Sequence, residues 1–408
     1  MKFKKLSALA LLIPLIAISA TFSATSKSFT NETKVKTIKI DERIAMDSRK
    51  MVSSTLLAPY NTMDTFLSDE ISADFNFTSV GGSWEEFSPQ GTNIEGYVRF
   101  NVAGDWSQWL DLEEEQDLLD PAKKYAMASS DPATSMQYKF LLYGDGVNRP
   151  YIKNLDWTFI SAVGGNDDFE APQPMYASNK IASSLTTIAL NNVSSKIISR
   201  ESWGADESYR YMADNSEDPV LAELDDSYYK LYADELKYSR VVEKDEKGNK
   251  YKWPLQYPEK VKKFVIHHTA TTGNLENPKQ AIRDIYYYHA ITRQWGDIGY
   301  NYIIDGKGNV YEGRYGGEGV IGAHAGGANN GSIGIAVLGN YEDNTVSQKV
   351  IASISQLIAE KSKVHGIEPN KSGKFRKQLM PNVIGHKDVM STTCPGENLY
   401  QNLSVIRS

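Results

Sequence analysis

At 408 residues the chain is too long for one ordinary domain, and two or three are expected. The formal net charge is −7, and −10 (−7 − 3) without Lys2, Lys4 and Lys5. An acidic chain of this kind is excluded as a nucleic-acid binder that works by phosphate neutralisation. One cysteine, Cys394, excludes an internal disulfide.

Residues 1–24 open with a short basic head, followed by an apolar run from Leu6 to about Ala20 and then small residues. That order predicts a secretory signal peptide cleaved near Ser23 or Ala24. The run is shorter than the ~20 apolar residues a bilayer requires, so no stable membrane insertion is expected after cleavage. The expected location is the cell envelope or the medium. Residues 25–70 are polar and read as a spacer. From 71 to 162 short alternating segments recur between turn residues, as in "GYVRFNV", where Val98, Phe100 and Val102 oppose Tyr97, Arg99 and Asn101. They predict an all-β sandwich-like domain. Trp106 and Trp109 lie within it. Stacking on sugars and filling a core or edge are both open to them, and the second is the more ordinary use. Gly, Asn, Asp and Pro cluster at 164–174 within an expected linker, 163–195.

The second domain is expected over 196–408, with an acidic, tyrosine-rich and helical insertion at 206–258. "KKFVIHHTA" predicts a buried strand that runs into a loop. "NPKQAIRDIYYYHAITRQW" predicts a helix capped by Asn277, with Pro278 in its first turn and Gln280 closing a capping box. Ile282, Ile285, Tyr286 and His289 share one face of it. "YNYIIDGKGNVYEGR" predicts a hairpin and "SIGIAVLGNY" another buried strand. A second helix starts at Ser347 and stops at Gly366, with Val350, Ile351, Ile354, Leu357, Ile358 and Val364 as its apolar stripe. Strands interleaved with helices predict an α/β domain around one central sheet.

Successive strand residues point to opposite faces. His267 and His268 therefore cannot both aim at one metal unless the strand breaks between them. The residues alone leave open which one does. In "HKDVMSTTCPG" a lone exported thiol is either inert in a core or held by a metal as thiolate. Pro395 suits the first turn of a helix through "ENLYQNLSVI", which would put Cys394 at a helix start, where a thiol's pKa falls. One strand histidine, His386 and Cys394 would make a three-ligand zinc set with a fourth position left for water. A nucleophilic Cys–His pair is the competing chemistry.

Five stretches stand in order: "SRESWGA", "VIHHTA", "YYHAITRQWGDIGYNYIIDGKGNVYEGR", "GAHAGGANNGSIGIAVLGNY" and "GHKDVMSTTCPG". Together they resemble the peptidoglycan recognition protein family, which shares its fold with phage-lysozyme-type and bacterial zinc N-acetylmuramoyl-L-alanine amidases. The resemblance covers residues 196–408. It implies an α/β amidase domain, a central mixed β-sheet flanked by helices, behind the all-β sandwich-like domain. It implies a Zn2+ cofactor held by His267, His386 and Cys394, with Tyr300 and Thr392 as catalytic residues. At the position of Thr392 phage enzymes carry lysine, whereas many active recognition proteins carry threonine. His289 and His324 are implied to line a peptide groove. Asn329 is implied to join them, although Ala328 replaces the family's tyrosine beside it. Gln294-Trp295 mixes the Gly-Trp of diaminopimelate-type and the Asn-Phe of lysine-type recognition; with Trp295 as a groove residue it leans to diaminopimelate. The implied reaction is hydrolysis of the amide between the lactyl group of N-acetylmuramic acid and L-alanine, with peptidoglycan or muropeptide as partner. Three rivals remain: a muropeptide binder without activity, a cysteine–histidine hydrolase, and a wall adhesin led by the sandwich domain.

Overall fold

The computed structural model describes residues 32–46, 51–55, 60–113, 115–116, 123–164, 196–212, 238–272 and 275–408. The expected leader at 1–24 and most of the expected linker at 163–195 lie outside them. Among the described residues no helix is long and apolar enough to cross a membrane.

Among the described residues the first half is all β. Its strands follow the path Glu32–Ile40, Tyr151–Val163, Phe77–Phe87, Lys123–Gly144, Thr62–Leu67, Met51–Thr55. The 22-residue strand Lys123–Gly144 organises it. Its first part pairs with Phe77–Phe87 and its remainder with Asn93–Val102, with a register shift between Ser129 and Ala133. Such a bulge bends a strand, so one strand serves two layers. Val98 and Phe100 face inward, as their alternation requires, onto Phe77, Trp84, Phe140, Trp157 and Phe159. Within the stretch read as a spacer with some helix or strand, 25–70, Glu32–Ile40 pairs along its whole length with Tyr151–Val163. An edge strand buries less than a central one, so its apolar alternation is diluted by Lys and Thr. Trp106 and Trp109 are half-buried, and the Arg99 guanidinium lies 4.7 Å from each ring.

The second half holds a five-stranded mixed sheet, ordered Val310–Glu312, Tyr302–Ile304, Ser332–Val337, Lys263–His268, Val383–Gly385. Only the hairpin of the first two is antiparallel. Lys263–His268 and Ser332–Val337 are buried at every position, which is why both read as continuous rather than alternating apolar runs. Helix Gln348–His365 covers one face, with Val350, Ile351, Ile354, Leu357 and Ile358 against Phe264, Ile266, Ile335 and Val337. Ser347 caps it by accepting from Val350 N, and Gly366 ends it in the left-handed region at φ 64°. Val364 is corrected: it is 60% exposed, turned away from the covered face that Lys361, Ser362 and Ile367 keep. Of the expected helical insertion at 206–258, the described part holds a 3-10 turn, Glu207–Arg210, and a hairpin of Tyr238–Lys244 and Lys250–Pro258; residues 213–237 lie outside the description.

Helix Pro278–Tyr287 covers the other face, with Ile282, Ile285 and Tyr286 against Ile303, Tyr311 and Ala336. Asn277 Oδ1 accepts from Gln280 N at 3.1 Å. The Gln280 side chain does not close a capping box; it donates to Thr78 Oγ1 at 3.1 Å, in the all-β half. Every residue from Lys279 to Tyr286 is buried, because the all-β half lies on the helix's outer side. There Asp284 accepts from Thr78 Oγ1 at 2.5 Å, Ser79 Oγ at 2.9 Å and Ala162 N at 2.8 Å. Arg283 Nε donates to Ala162 O at 2.7 Å. Packing is tight: a Cβ on Gly81 would come within 2.3 Å of the Tyr288 ring.

Candidate metal centre

Strand register builds the centre. Ile266 stands opposite Gly385 on the adjacent parallel strand, so the next residues along, His267 and His386, leave the two strand ends side by side. Their ring centroids are 4.4 Å apart. Alternation sends His268 to the other face. The cysteine loop returns over these ends, held by Lys387 N donating to Cys394 O at 2.9 Å. His267, His386 and Cys394 each offer one donor atom, and the three lie within 4.8 Å of one another. His267 Nδ1 is 3.7 Å from Cys394 Sγ.

The expected helix start at Pro395 is corrected. Gly396, at φ 81°, precedes a four-residue helix Glu397–Tyr400, and a second short helix, Leu403–Ile406, follows. Support for the sulfur comes instead from the strand, where His268 N donates to Cys394 Sγ at 3.4 Å. Thr392 lies beside the same turn, and its Oγ1 accepts from Cys394 N at 3.2 Å.

Behind His267 stands His324, buried, with Nδ1 2.9 Å from His267 Nε2. With His267 Nδ1 turned to the sulfur, Nε2 carries the proton and donates to His324. His324 Nε2 then faces Ser332 Oγ at 3.5 Å, which donates to Ala328 O at 2.6 Å. Gly334 makes room for this ring, since a Cβ there would come within 2.5 Å of it. Burial, with His386, His324 and His268 nearby, drives His267 well below the ordinary imidazole range. Burial pushes His386 down to about 4 against the opposing pull of Glu113, and His324 down to about 3. The rings are therefore neutral near pH 7, the form that binds metals.

These donors fit zinc. Zn–N and Zn–S bonds of about 2.0 and 2.3 Å at tetrahedral angles put nitrogen and sulfur about 3.5 Å apart. A ligating imidazole also needs a partner on its other ring nitrogen, and His324 supplies one.

The rim is aromatic. Tyr300 is 9% exposed, its ring centroid 5.4 Å from His267 and 5.6 Å from His289. His289 is buried on a π-helical turn, Tyr288–Thr292, that follows helix Pro278–Tyr287. Its Nδ1 accepts from Gly299 N at 3.1 Å, and its ring lies 4.7 Å from Trp295. Burial, helped by Arg293 and Arg314, pushes His289 down to about 3. Trp295 is half-buried, with the Arg293 guanidinium 4.5 Å from its ring and 3.9 Å from that of Tyr125 in the all-β half. Asn329 Oδ1 accepts from His324 N and Ala325 N at 2.8 and 2.7 Å. Three of the four residues expected in the groove, His289, His324 and Asn329, thus make internal contacts that hold other parts of the site. Trp295 stands on the rim.

One residue at the centre carries no motif. Glu113, from the all-β half, takes a hydrogen bond on Oε1 from His268 Nε2 and another from Thr393 Oγ1, the latter at 3.0 Å. Burial opposes its charge, but the His268 ring, these two hydrogen bonds and His386 hold its carboxyl below the ordinary carboxylate range. No local pattern in the sequence marks a contact between residues so far apart.

A family model described as N-acetylmuramoyl-L-alanine amidase matches residues 257–397. Peptidoglycan-recognition protein SC2 of Drosophila simulans is 41% identical over 145 residues, covering 34% of this chain and 70% of that protein. Peptidoglycan recognition protein 1 of Bos taurus is 35% identical over 148 residues, covering 35% and 70%. Among solved structures, the N-acetylmuramoyl-L-alanine amidase LysC of Clostridium intestinale aligns at 29% identity and a TM-score of 0.30, over 37% of this chain and 88% of that one. Relatives matched at this identity over more than two thirds of their length settle kinship: the chain belongs to the family of peptidoglycan recognition proteins and N-acetylmuramoyl-L-alanine amidases.

Proposed function

We propose that the protein is an exported zinc amidase that hydrolyses the amide between the lactyl group of N-acetylmuramic acid and L-alanine in peptidoglycan. The observation that carries this reading is the donor set. His267, His386 and Cys394 converge within 4.8 Å, and His267 Nδ1 stands 3.7 Å from Cys394 Sγ. Zinc in such a set supplies a Lewis acid and lowers the pKa of water from about 15.7 towards 7. The chain's residues do the remainder. His324 holds the His267 proton on Nε2 and leaves Nδ1 free to ligate. Thr392 fixes the turn that carries Cys394. Tyr300, on the rim beside His267, donates its hydroxyl to the oxygen that gains charge as the amide is attacked; one such donor is worth ~3 kcal/mol. Trp295 offers a flat wall for the muropeptide.

Mass analysis of digested peptidoglycan, with and without chelator, tests the reading. Free stem peptides beginning with alanine, lost on chelation and restored by zinc, are expected. Muropeptide binding without cleavage in either sample would establish a recognition protein instead. Full cleavage by zinc-free protein would establish the cysteine–histidine hydrolase.

A further inference from the structure

Glu113 belongs to the all-β half. It lies just beyond Leu110–Asp111, a short strand paired to Asn93–Val102, and 155 residues before His268. It reaches across to the two segments that carry the metal donors. One of its hydrogen-bond donors, His268, is the chain neighbour of His267. The other, Thr393, is the neighbour of Cys394, and both bonds end on the same oxygen, Oε1. The geometry fixes the His268 tautomer. Tyr341 N donates to His268 Nδ1 at 3.0 Å, so Nε2 carries the proton and points at Glu113. The same His268 donates its backbone N–H to Cys394 Sγ. Glu113, His268 and Cys394 themselves form a cluster whose donor atoms lie within 4.8 Å of one another. One carboxylate oxygen thus fastens the strand end to the cysteine loop, across the gap that the nitrogen and sulfur must keep.

We propose that Glu113 is a positioning residue of the metal centre, and that the all-β half completes this centre rather than serving as a separate wall-binding module. The proposal rests on the reading of His267, His386 and Cys394 as zinc ligands. Without the Glu113 bonds the strand end and the loop are free to separate, and zinc must order them again as it binds. Losing a partner of this kind typically weakens metal binding about 10–100-fold.

The test uses the full chain at one fixed pH. Zinc affinity is measured by competition with a chromophoric chelator for the native protein, Glu113→Leu, which leaves no acceptor, Thr393→Val and the double variant. The sulfur-to-metal charge-transfer band of the cobalt(II)-substituted proteins is recorded alongside. Glu113→Leu is expected to weaken zinc about 10–100-fold and to shift the cobalt band. Thr393→Val is expected to act in the same direction, and the double variant to fall short of the sum, because both changes remove the shared Thr393–Glu113 bond. Thr393 is exposed, so its variant probes the contact without disturbing a core. Native protein that binds no zinc would overturn the ligand reading. Native protein that binds one zinc, beside variants of unchanged affinity and cobalt spectrum, would overturn the role of Glu113 alone.

Discussion

Asp284→Asn probes the contact between the two halves. Burial pushes the Asp284 carboxyl up from 3.8 to about 6, against the hydrogen bonds from Thr78, Ala162 and Ser79 and the charge of Arg283. A carboxyl with a raised folded-state value binds its proton more tightly folded than unfolded. Its contribution is therefore most favourable below about pH 4 and declines as pH rises to about 6. At 1.36 kcal/mol per pH unit, the gap between 3.8 and about 6 amounts to about 3 kcal/mol. Asparagine keeps the shape without titrating. Its carbonyl oxygen can accept from Ala162 N, and its amide can donate to the hydroxyls of Thr78 and Ser79 once they rotate. Urea unfolding of both proteins, from pH 4 to pH 7.5, gives the stability difference at each pH, in which other titrating groups cancel. The difference should move by about 2.4 kcal/mol in favour of the variant between these limits, since the unfolded carboxyl is already more than half ionised at pH 4. A difference that stays constant across the window refutes the assignment of a buried, ionising Asp284. Asp284→Ala, by contrast, leaves buried donors unmet and should lose about 1–3 kcal/mol for each one at every pH.

Cys394→Ser should abolish stoichiometric zinc in the purified protein and peptidoglycan cleavage with it, while far-ultraviolet circular dichroism is unchanged. Gly334→Ala drives a methyl group into the His324 ring; zinc affinity by chelator competition should fall about 10–100-fold with the sheet intact. Tyr300→Phe should lower kcat about 10²–10³-fold at unchanged zinc content, and a small change in kcat would remove the hydroxyl from the reaction.

Much of the α/β half was legible because its signals are local. The apolar stripe from Val350 to Ile358, with Ser347 and Gly366 at its ends, writes a helix in its own sequence; Val364, at the flank of that stripe, turns to solvent, which apolar spacing alone does not show. Alternation alone required His267 and His268 to part company. The resemblance named His267, and the pairing of Ile266 with Gly385 accounts for its meeting with His386. What was missed depends on distant partners or weak patterns. Glu113 is defined only by the segments it bridges. Glu32–Ile40 is an edge strand whose alternation lysine and threonine obscure, and Tyr238–Pro258 is a half-exposed hairpin rich in charge. Pro395 misled because Gly396, in its left-handed conformation, sets the helix start after itself.

Helix Pro278–Tyr287, buried between the sheet and the all-β half, has a consequence for protein engineering. Cutting the chain near residue 196 would hand solvent a surface bearing Gln280, Arg283, Asp284 and the Tyr288 ring, all shaped for a neighbour no longer there. An α/β half excised on its own should express poorly or aggregate. Transplanting it onto a different module should succeed only if Thr78, Ser79, Gly81 and Ala162 travel with it.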